Sequence, residues 1–315
     1  MTFKLVKLKI KIKARQEIKL PDYAGSVFRG AFGHAFKKAA CFSLEKDCSS
    51  CFNRNNCPYI YVFETDYPES AKQIKRLQKP PKPYLIEPPQ MNLTDFNSEE
   101  SLSFGLTIIG DAINYIPYFV FAFIKMGEDG IGNLRGKFSV EDIEAFSQKN
   151  NSYYSIFSPD NKNKIDFNEE CVIKFTNDNG LCGSELLKLN FLTPINIIKD
   201  KCSRHDMEFY TFFSRLVSRI NALSLFYCDK EFIENPSELI EMSKDVNTLK
   251  NCTSWYSFHR FSNRQKKSLV VGGYLGEILY SGKMKNFMPV IEIGKHVNNG
   301  KNTIMGLGKY EYECE

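Results

Sequence analysis

The sequence predicts an α+β protein made of two ferredoxin-like, RRM-like βαββαβ units in tandem, over 1–160 and 161–315, with a cysteine-rich insertion in the first. Three observations carry that prediction. Apolar residues recur at period two in some segments and at helical period in others. Those segments follow the order strand, helix, strands, helix, strand, and the order occurs twice. A polar, weakly patterned stretch, 150–163, stands between the two cycles.

The first cycle opens with Phe3 to Lys13. Leu8, Ile10 and Ile12 fall on one face and Lys7, Lys9, Lys11 and Lys13 on the other, which predicts a strand with one buried and one cationic face. Four like charges on a short face favour an anionic partner over plain solvation. Leu20-Pro21-Asp22-Tyr23 is a turn, and a helix follows from Gly25 to Ala40. Phe28, Phe32, Ala35, Phe36 and Ala39 share its core face. Beyond a cysteine-rich loop comes Lys72 to Gln90, where Lys79-Pro80-Pro81-Lys82-Pro83 must be extended. Ser101 to Ile109 reads as a strand, Ile116 to Met126 as a buried helix, and Lys137 to Phe146 as a strand.

The second cycle repeats the order. Leu186 to Ile198 is a strand, and Asp206 to Phe226 is a helix with Phe209, Phe213, Leu216, Val217, Ile220 and Leu223 inward. Strands follow over Leu249 to Phe261 and Leu269 to Tyr280. A helix then opens with Pro289 near its first turn and stops before Gly300. Ile304 to Tyr312 is the last strand. No sequence repeat accompanies this duplication of order.

Composition excludes little. The charge is +5, from 42 basic and 37 acidic residues, so distribution carries more information than the sum. The longest aromatic-aliphatic run, Ile116 to Ile124, is too short to cross a bilayer. Met1-Thr2-Phe3-Lys4 leads into a lysine-rich strand without an apolar signal region. A cytoplasmic protein without membrane contact is expected, and its ten cysteines are then thiols or metal ligands rather than disulfides.

Four features point to chemistry. The loop Gly300-Lys301-Asn302-Thr303-Ile304-Met305-Gly306-Leu307-Gly308-Lys309 has three glycines and two lysines, so its N–H groups are expected to approach an anion. It is not a Walker loop, because no Lys-Ser/Thr pair opens a helix behind it. On the helix wheel, His34 points away from the Phe28 side. Lys38 follows one turn on, Arg29 and Lys37 stand nearby, and Gly30 leaves the flank open. A histidine that titrates near neutrality can move a proton, and a lysine beside it can steady a phosphate's charge, although the pattern alone favours a surface histidine without a role. Cys41, Cys48, Cys51 and Cys57 form C-x6-C-x2-C-x5-C, the spacing of a four-thiolate site; zinc is the default, and an iron–sulfur cluster has the same ligand demand. Trp255 to Gln265 interleaves aromatics with Arg260 and Arg264, which suits stacking on unpaired bases and gripping phosphate, or simply a hairpin with an amphipathic face. His259 and His205 read as local structural groups, and His296 as a support of the glycine-rich loop. There is no Ser-His-Asp pattern, dinucleotide fingerprint or zincin histidine pair.

Taken together, these blocks resemble the CRISPR-associated endoribonucleases of the RAMP superfamily that process precursor CRISPR RNA (the Cas six family), in the branch with a four-cysteine insertion. The resemblance rests on Phe28-Arg29-Gly30-Ala31-Phe32-Gly33-His34-Ala35-Phe36, the four cysteines with Cys57-Pro58-Tyr59, and Pro83-Tyr84-Leu85-Ile86-Glu87-Pro88-Pro89. It continues through Trp255-Tyr256, Arg260 to Gln265, Gly272-Gly273-Tyr274-Leu275-Gly276 and the terminal glycine loop. It implies metal-independent cleavage of CRISPR repeat RNA by its own 2′-hydroxyl, giving a 2′,3′-cyclic phosphate and a 5′-hydroxyl. His34 would act as base or acid, with Tyr23 contributing and Lys38 or Lys37 stabilising charge. Lys7, Lys9, Arg29, Arg260, Arg264, Gly300, Lys301, Gly306 and Gly308 would hold RNA. The metal would be structural, no small-molecule cofactor would be needed, and a CRISPR effector complex would receive the product. Two other readings stand beside it: a non-catalytic RAMP scaffold that binds RNA without needing His34, and a metal- or redox-sensing regulator built on the four-cysteine loop.

Overall fold

Alternating burial along β1 (Thr2–Ala14) explains why the first sheet forms around it. Leu8, Ile10 and Ile12 are at most 2% exposed, and the lysines between them face outward. The computed structural model describes residues 2–42, 48–65, 80–161, 164–176, 185–199, 202–203, 207–262 and 267–314, with the side chains of 198–199, 202–203 and 261–262 left aside. The chain divides into two units. One holds Lys4–Lys174 with Phe226–Cys228, and the other holds Met1–Phe3, Phe175–Leu225 and Asp229–Glu315.

In the first unit β1 is followed by α1 (Gly25–Ala40), α2 (Pro58–Phe63), β2 (Tyr84–Glu87) and β3 (Ser101–Ile109). Then come α3 (Ile116–Asp129), β4 (Phe138–Ser147) and β5 (Ser152–Phe157). The sheet order is β2-β3-β1-β4-β5, all antiparallel, with the short strand Ile173–Thr176 pairing β1 beside this path. The first four strands have the ferredoxin-like arrangement, in which the first and third strands are central. α1 and α3 bring their phenylalanines together over the sheet: the ring of Phe32 lies 5.3 Å from that of Phe123 and 5.6 Å from that of Phe119. Gly33 lets α2 come close, since a β-carbon there would meet the Phe63 ring at 3.3 Å.

The second unit repeats the plan with β6 (Leu186–Ile195), α4 (Phe209–Tyr227, of which Phe226 and Tyr227 belong to the first unit), α5 (Pro236–Met242) and β7 (Asn247–Ser262). β8 (Lys267–Ser281), α6 (Met288–Val297) and β9 (Tyr310–Cys314) complete it. The order is β7-β8-β6-β9, again with the first and third strands central. The Tyr310 hydroxyl donates to the Ile291 carbonyl at 2.8 Å, fastening β9 to α6. Gly294 makes room for that bond, because a β-carbon there would sit 2.1 Å from the Tyr310 hydroxyl.

Three segments differ from expectation. Ser152–Phe157, inside the stretch taken as unpatterned, is a strand that pairs β4; its exposed Tyr153 and Tyr154 disguise the alternation. Pro58–Phe63, taken as loop, is a helix with Pro58 in its first turn. The last strand begins at Tyr310 rather than Ile304, because Thr303–Met305 is a 3₁₀ turn flanked by Asn302 and Gly306 at positive φ.

Candidate active site and nucleic-acid surface

α1 ends with Lys37 and Lys38 in its last turn, where cations suit the helix dipole. The phenylalanine side of the helix is sealed in the core, so the opposite side must face solvent. His34 is exposed there, and it makes no hydrogen bond or ion pair with any described residue. A β-carbon at Gly30, one turn before it, would have no neighbouring atom within 4 Å, so the space beside the imidazole is open.

The two lysines have different surroundings. Lys38 Nζ donates to both carboxylate oxygens of Asp129, the last residue of α3. Lys37 Nζ lies 5.3 Å from the centre of the Tyr59 ring. Arg29 is half-buried on the side of α1 that faces β2, and its Nε is enclosed without a partner. Tyr23 is 3% exposed, and burial, with the Glu87 carboxylate next, pushes its phenol well above the ordinary range. Tyr23 is thus buried, whereas His34 is exposed.

Several amides of the glycine-rich loop are bonded within the protein. The amides of Lys301, Met305, Gly306 and Gly308 donate to the carbonyls of Asn196, Asn302, Thr303 and Pro194. The amides of Gly300 and Lys309 donate to the Asn299 and Thr193 side chains. Gly306 and Gly308 are buried. Their role is close approach of backbone to backbone: a β-carbon at Gly308 would lie 1.7 Å from the Asn299 carbonyl oxygen. Lys301 of this loop is exposed, and the amides of Asn302, Thr303, Ile304 and Leu307 bond no acceptor among the described residues.

Two features far apart in sequence meet at this loop. Arg260 of β7 reaches Met305, with Nη1 3.8 Å from Sδ. Asn196 donates to the Gly272 carbonyl of β8 at 2.9 Å and accepts from Lys301. On the same hairpin Trp255 is 45% exposed, its ring 5.0 Å from that of Tyr274, and His259 is exposed. Arg264 and His205 lie outside the described residues.

The lysine face of β1 proves to be charge-matched. Register sets Lys9 opposite Glu144 and Lys11 opposite Asp142. Lys11 Nζ is 2.7 Å and Lys9 Nζ 3.9 Å from Glu144, and Lys13 is 2.8 Å from Glu99. Period-two reading sees only one strand, and the carboxylates sit on its neighbours. Lys7 is half-buried and also has partners.

The cysteines do not assemble. Cys41 ends α1, Cys57 begins α2, and Arg54 Nη1 is bound to the Cys48 carbonyl between them. Among the described residues no three His, Cys, Asp or Glu side chains are grouped to hold a metal ion. Nothing among the described residues therefore supports the expected zinc or iron–sulfur site on Cys41, Cys48, Cys51 and Cys57. Helix ends and the Arg54 contact organise this segment instead.

Sequence reasoning also missed a buried network below the loop. Arg219 of α4 donates through Nε and Nη2 to the Val297 carbonyl and through Nε to that of Asn298, serving the end of α6. Burial lowers its guanidinium to about 10. His296 bonds Glu292 at 3.3 Å, and the Tyr312 hydroxyl donates to the same carboxylate at 2.7 Å.

Comparison with known proteins matches these parts in chain order. Residues 3–169 match an N-terminal domain family, AF_1859_N, and residues 189–310 match the family of the CRISPR-associated endoribonuclease Cas6. An uncharacterized protein of Archaeoglobus fulgidus is 27% identical over 143 residues, covering 44% of this chain and 47% of that protein. The chain thus spans about half the length of the curated relative it matches. Among solved structures, a Cas6 product complex (TTHB231) aligns with 98% of this chain and all of its own at 13% identity and TM-score 0.58. Thermus thermophilus Cas6 (TTHB231) aligns over 99% of both chains at 12% identity and TM-score 0.55. A partial Cas6-RT-Cas1–Cas2 complex covers 99% of this chain and 46% of the other, at 10% identity and TM-score 0.52. At such identities the likeness is one of fold, and it extends over both ferredoxin-like units. Among the described residues no helix is long and apolar enough to cross a membrane.

Proposed function

The chain belongs to the CRISPR-associated Cas6 family of RAMP proteins, and from that premise we propose that it cuts CRISPR repeat RNA by metal-independent transesterification centred on His34. The carrying observation is the setting of His34: exposed on α1, unpartnered among the described residues, with open space at Gly30 and Lys38 one turn away.

The substrate supplies its own nucleophile, so holding the ribose 2′-hydroxyl in line with the adjacent phosphate accounts for much of the rate. The imidazole Nε2 or Nδ1 takes the hydroxyl proton as the oxygen attacks phosphorus, with water protonating the departing 5′-oxygen, or it protonates that oxygen, with water taking the hydroxyl proton. The P–O5′ bond breaks, leaving a 2′,3′-cyclic phosphate and a 5′-hydroxyl. Lys38 steadies the extra negative charge of the transition state once RNA competes it away from Asp129; Lys37 is the neighbouring cation. Tyr23 takes no part in this scheme. Lys301, Arg260 and Trp255 would grip and stack the strand. The product would pass to a CRISPR effector complex.

The test is chemical. In excess chelator, a repeat RNA should give one discrete product ending in a cyclic phosphate. The same RNA with a single 2′-deoxyribose before the cut should stay whole. Cleavage of the deoxy substrate would refute the mechanism. A scaffold that only binds RNA predicts no product from either.

A further inference from the structure

Register along the β7–β8 hairpin sets Trp255 opposite Tyr274, Ser257 opposite Gly272 and His259 opposite Val270, all on one face. That face is open to solvent. Trp255 is 45% and Val270 66% exposed, and Ser257 and His259 are exposed as well. His259 makes no hydrogen bond or ion pair with any described residue, so the structural role expected of it has no support there. The indole of Trp255 does not stand over its own position. A β-carbon at Gly272 would lie 2.8 Å from Trp255 Cζ2, so the ring leans over that glycine, towards the row of His259. Tyr274 meets the indole edge to face at 5.0 Å and holds it from its own row.

The row of Gly272 and the row of His259 are two strand residues apart, about 7 Å. Two carbon contacts of about 3.5 Å span the same distance, so one flat ring fits between indole and imidazole. A cation stands beside this gap. The Asn196 side chain donates to the Gly272 carbonyl, and the Asn196 carbonyl accepts from the Lys301 amide, which ties the exposed Lys301 to the floor of the gap. A flat ring with a phosphate attached is a nucleotide, and aromatic walls hold any unpaired base by its faces. We infer that His259 is the second wall of a slot, with the Trp255 indole over Gly272 as the first, that takes one unpaired base of the RNA, an inference resting on the cleavage reading above.

The experiment is an abasic scan of a repeat RNA carrying the protective 2′-deoxyribose, bound in chelator to the full chain, to His259→Ala and to His259→Phe. Trp255 is the only tryptophan of the chain, so tryptophan emission reports this position alone. In the unaltered protein, one missing base should weaken binding about fivefold or more and relieve the quenching of Trp255. His259→Ala should shrink the penalty at that base, while the penalties elsewhere persist. His259→Phe should restore it, because the wall acts through its flat face and not its proton. Both variants alter an exposed side chain, so both should fold. A scan of His259→Ala identical to that of the unaltered chain, with Trp255 still quenched by RNA, overturns the slot and leaves the cleavage reading standing. An unaltered chain that does not bind repeat RNA overturns both the slot and the cleavage reading.

Discussion

Lys38 Nζ lies 2.7 Å from Oδ2 and 2.9 Å from Oδ1 of Asp129. The cation one turn beyond His34 is already bound to a carboxylate, so RNA must displace a partner before it can use Lys38. Exposed pairs of this kind contribute about 1 kcal/mol or less. Asp129→Asn should therefore tighten RNA binding at low salt by at most about fivefold. The gain should fade as salt screens the surface. Lys38→Ala should instead slow single-turnover cleavage by about 10²-fold, the usual loss of one charge-stabilising donor. Titrations at two salt concentrations and a single-turnover rate check both.

Gly308 has φ +74° and no room for a β-carbon. Gly308→Ala should cost about 2–4 kcal/mol, since strain and a backbone clash act together. A control substitution at Gly30, where nothing lies within 4 Å, should not lower stability. Denaturant unfolding of both variants measures the difference.

Arg219 holds the end of α6 with bonds of 2.9–3.0 Å to two carbonyls. Arg219→Met should destabilise by about 2–4 kcal/mol, because the carbonyls lose their donors while remaining partly enclosed. Hydrogen exchange should quicken first in the loop that follows α6.

Glu292 contributes to the acid sensitivity of the second unit. Burial opposes its ionisation, but the bonds from His296 and Tyr312 and the nearby charge of Lys295 outweigh it and bring the carboxyl to about 2. The unfolded chain takes up the proton near 4.5. The stabilisation is therefore complete above that value and is lost as pH falls towards 2. Glu292→Gln should flatten this part of a stability–pH curve.

Legibility followed the physics of each element. Periodicity was enough where one face is buried and the other wet, as in β1, α1, β3 and α3, and the doubled element order was enough to identify both ferredoxin-like units. It failed for Ser152–Phe157, where exposed tyrosines hide the alternation, and for Pro58–Phe63, too short to display a helical period. At the site, the wheel of α1 correctly put His34 in solvent and Phe28, Phe32 and Phe36 in the core. It could not reveal that Asp129, 91 residues from Lys38, would pair with it. Nor could β1 alone reveal the carboxylates beside Lys9 and Lys11. In the glycine loop, glycine permits close approach, but sequence does not say that one such approach is to Asn299's carbonyl. Cysteine spacing likewise left out the geometry that metal binding requires.

The most direct measurement is single-turnover cleavage of the repeat RNA, in chelator, by the unaltered chain and by His34→Ala, with RNA affinity measured in parallel. The proposed chemistry requires the rate to fall by about 10²–10⁴-fold, the contribution of a general acid or base, with affinity unchanged within a few-fold. Equal rates from the two proteins would contradict it.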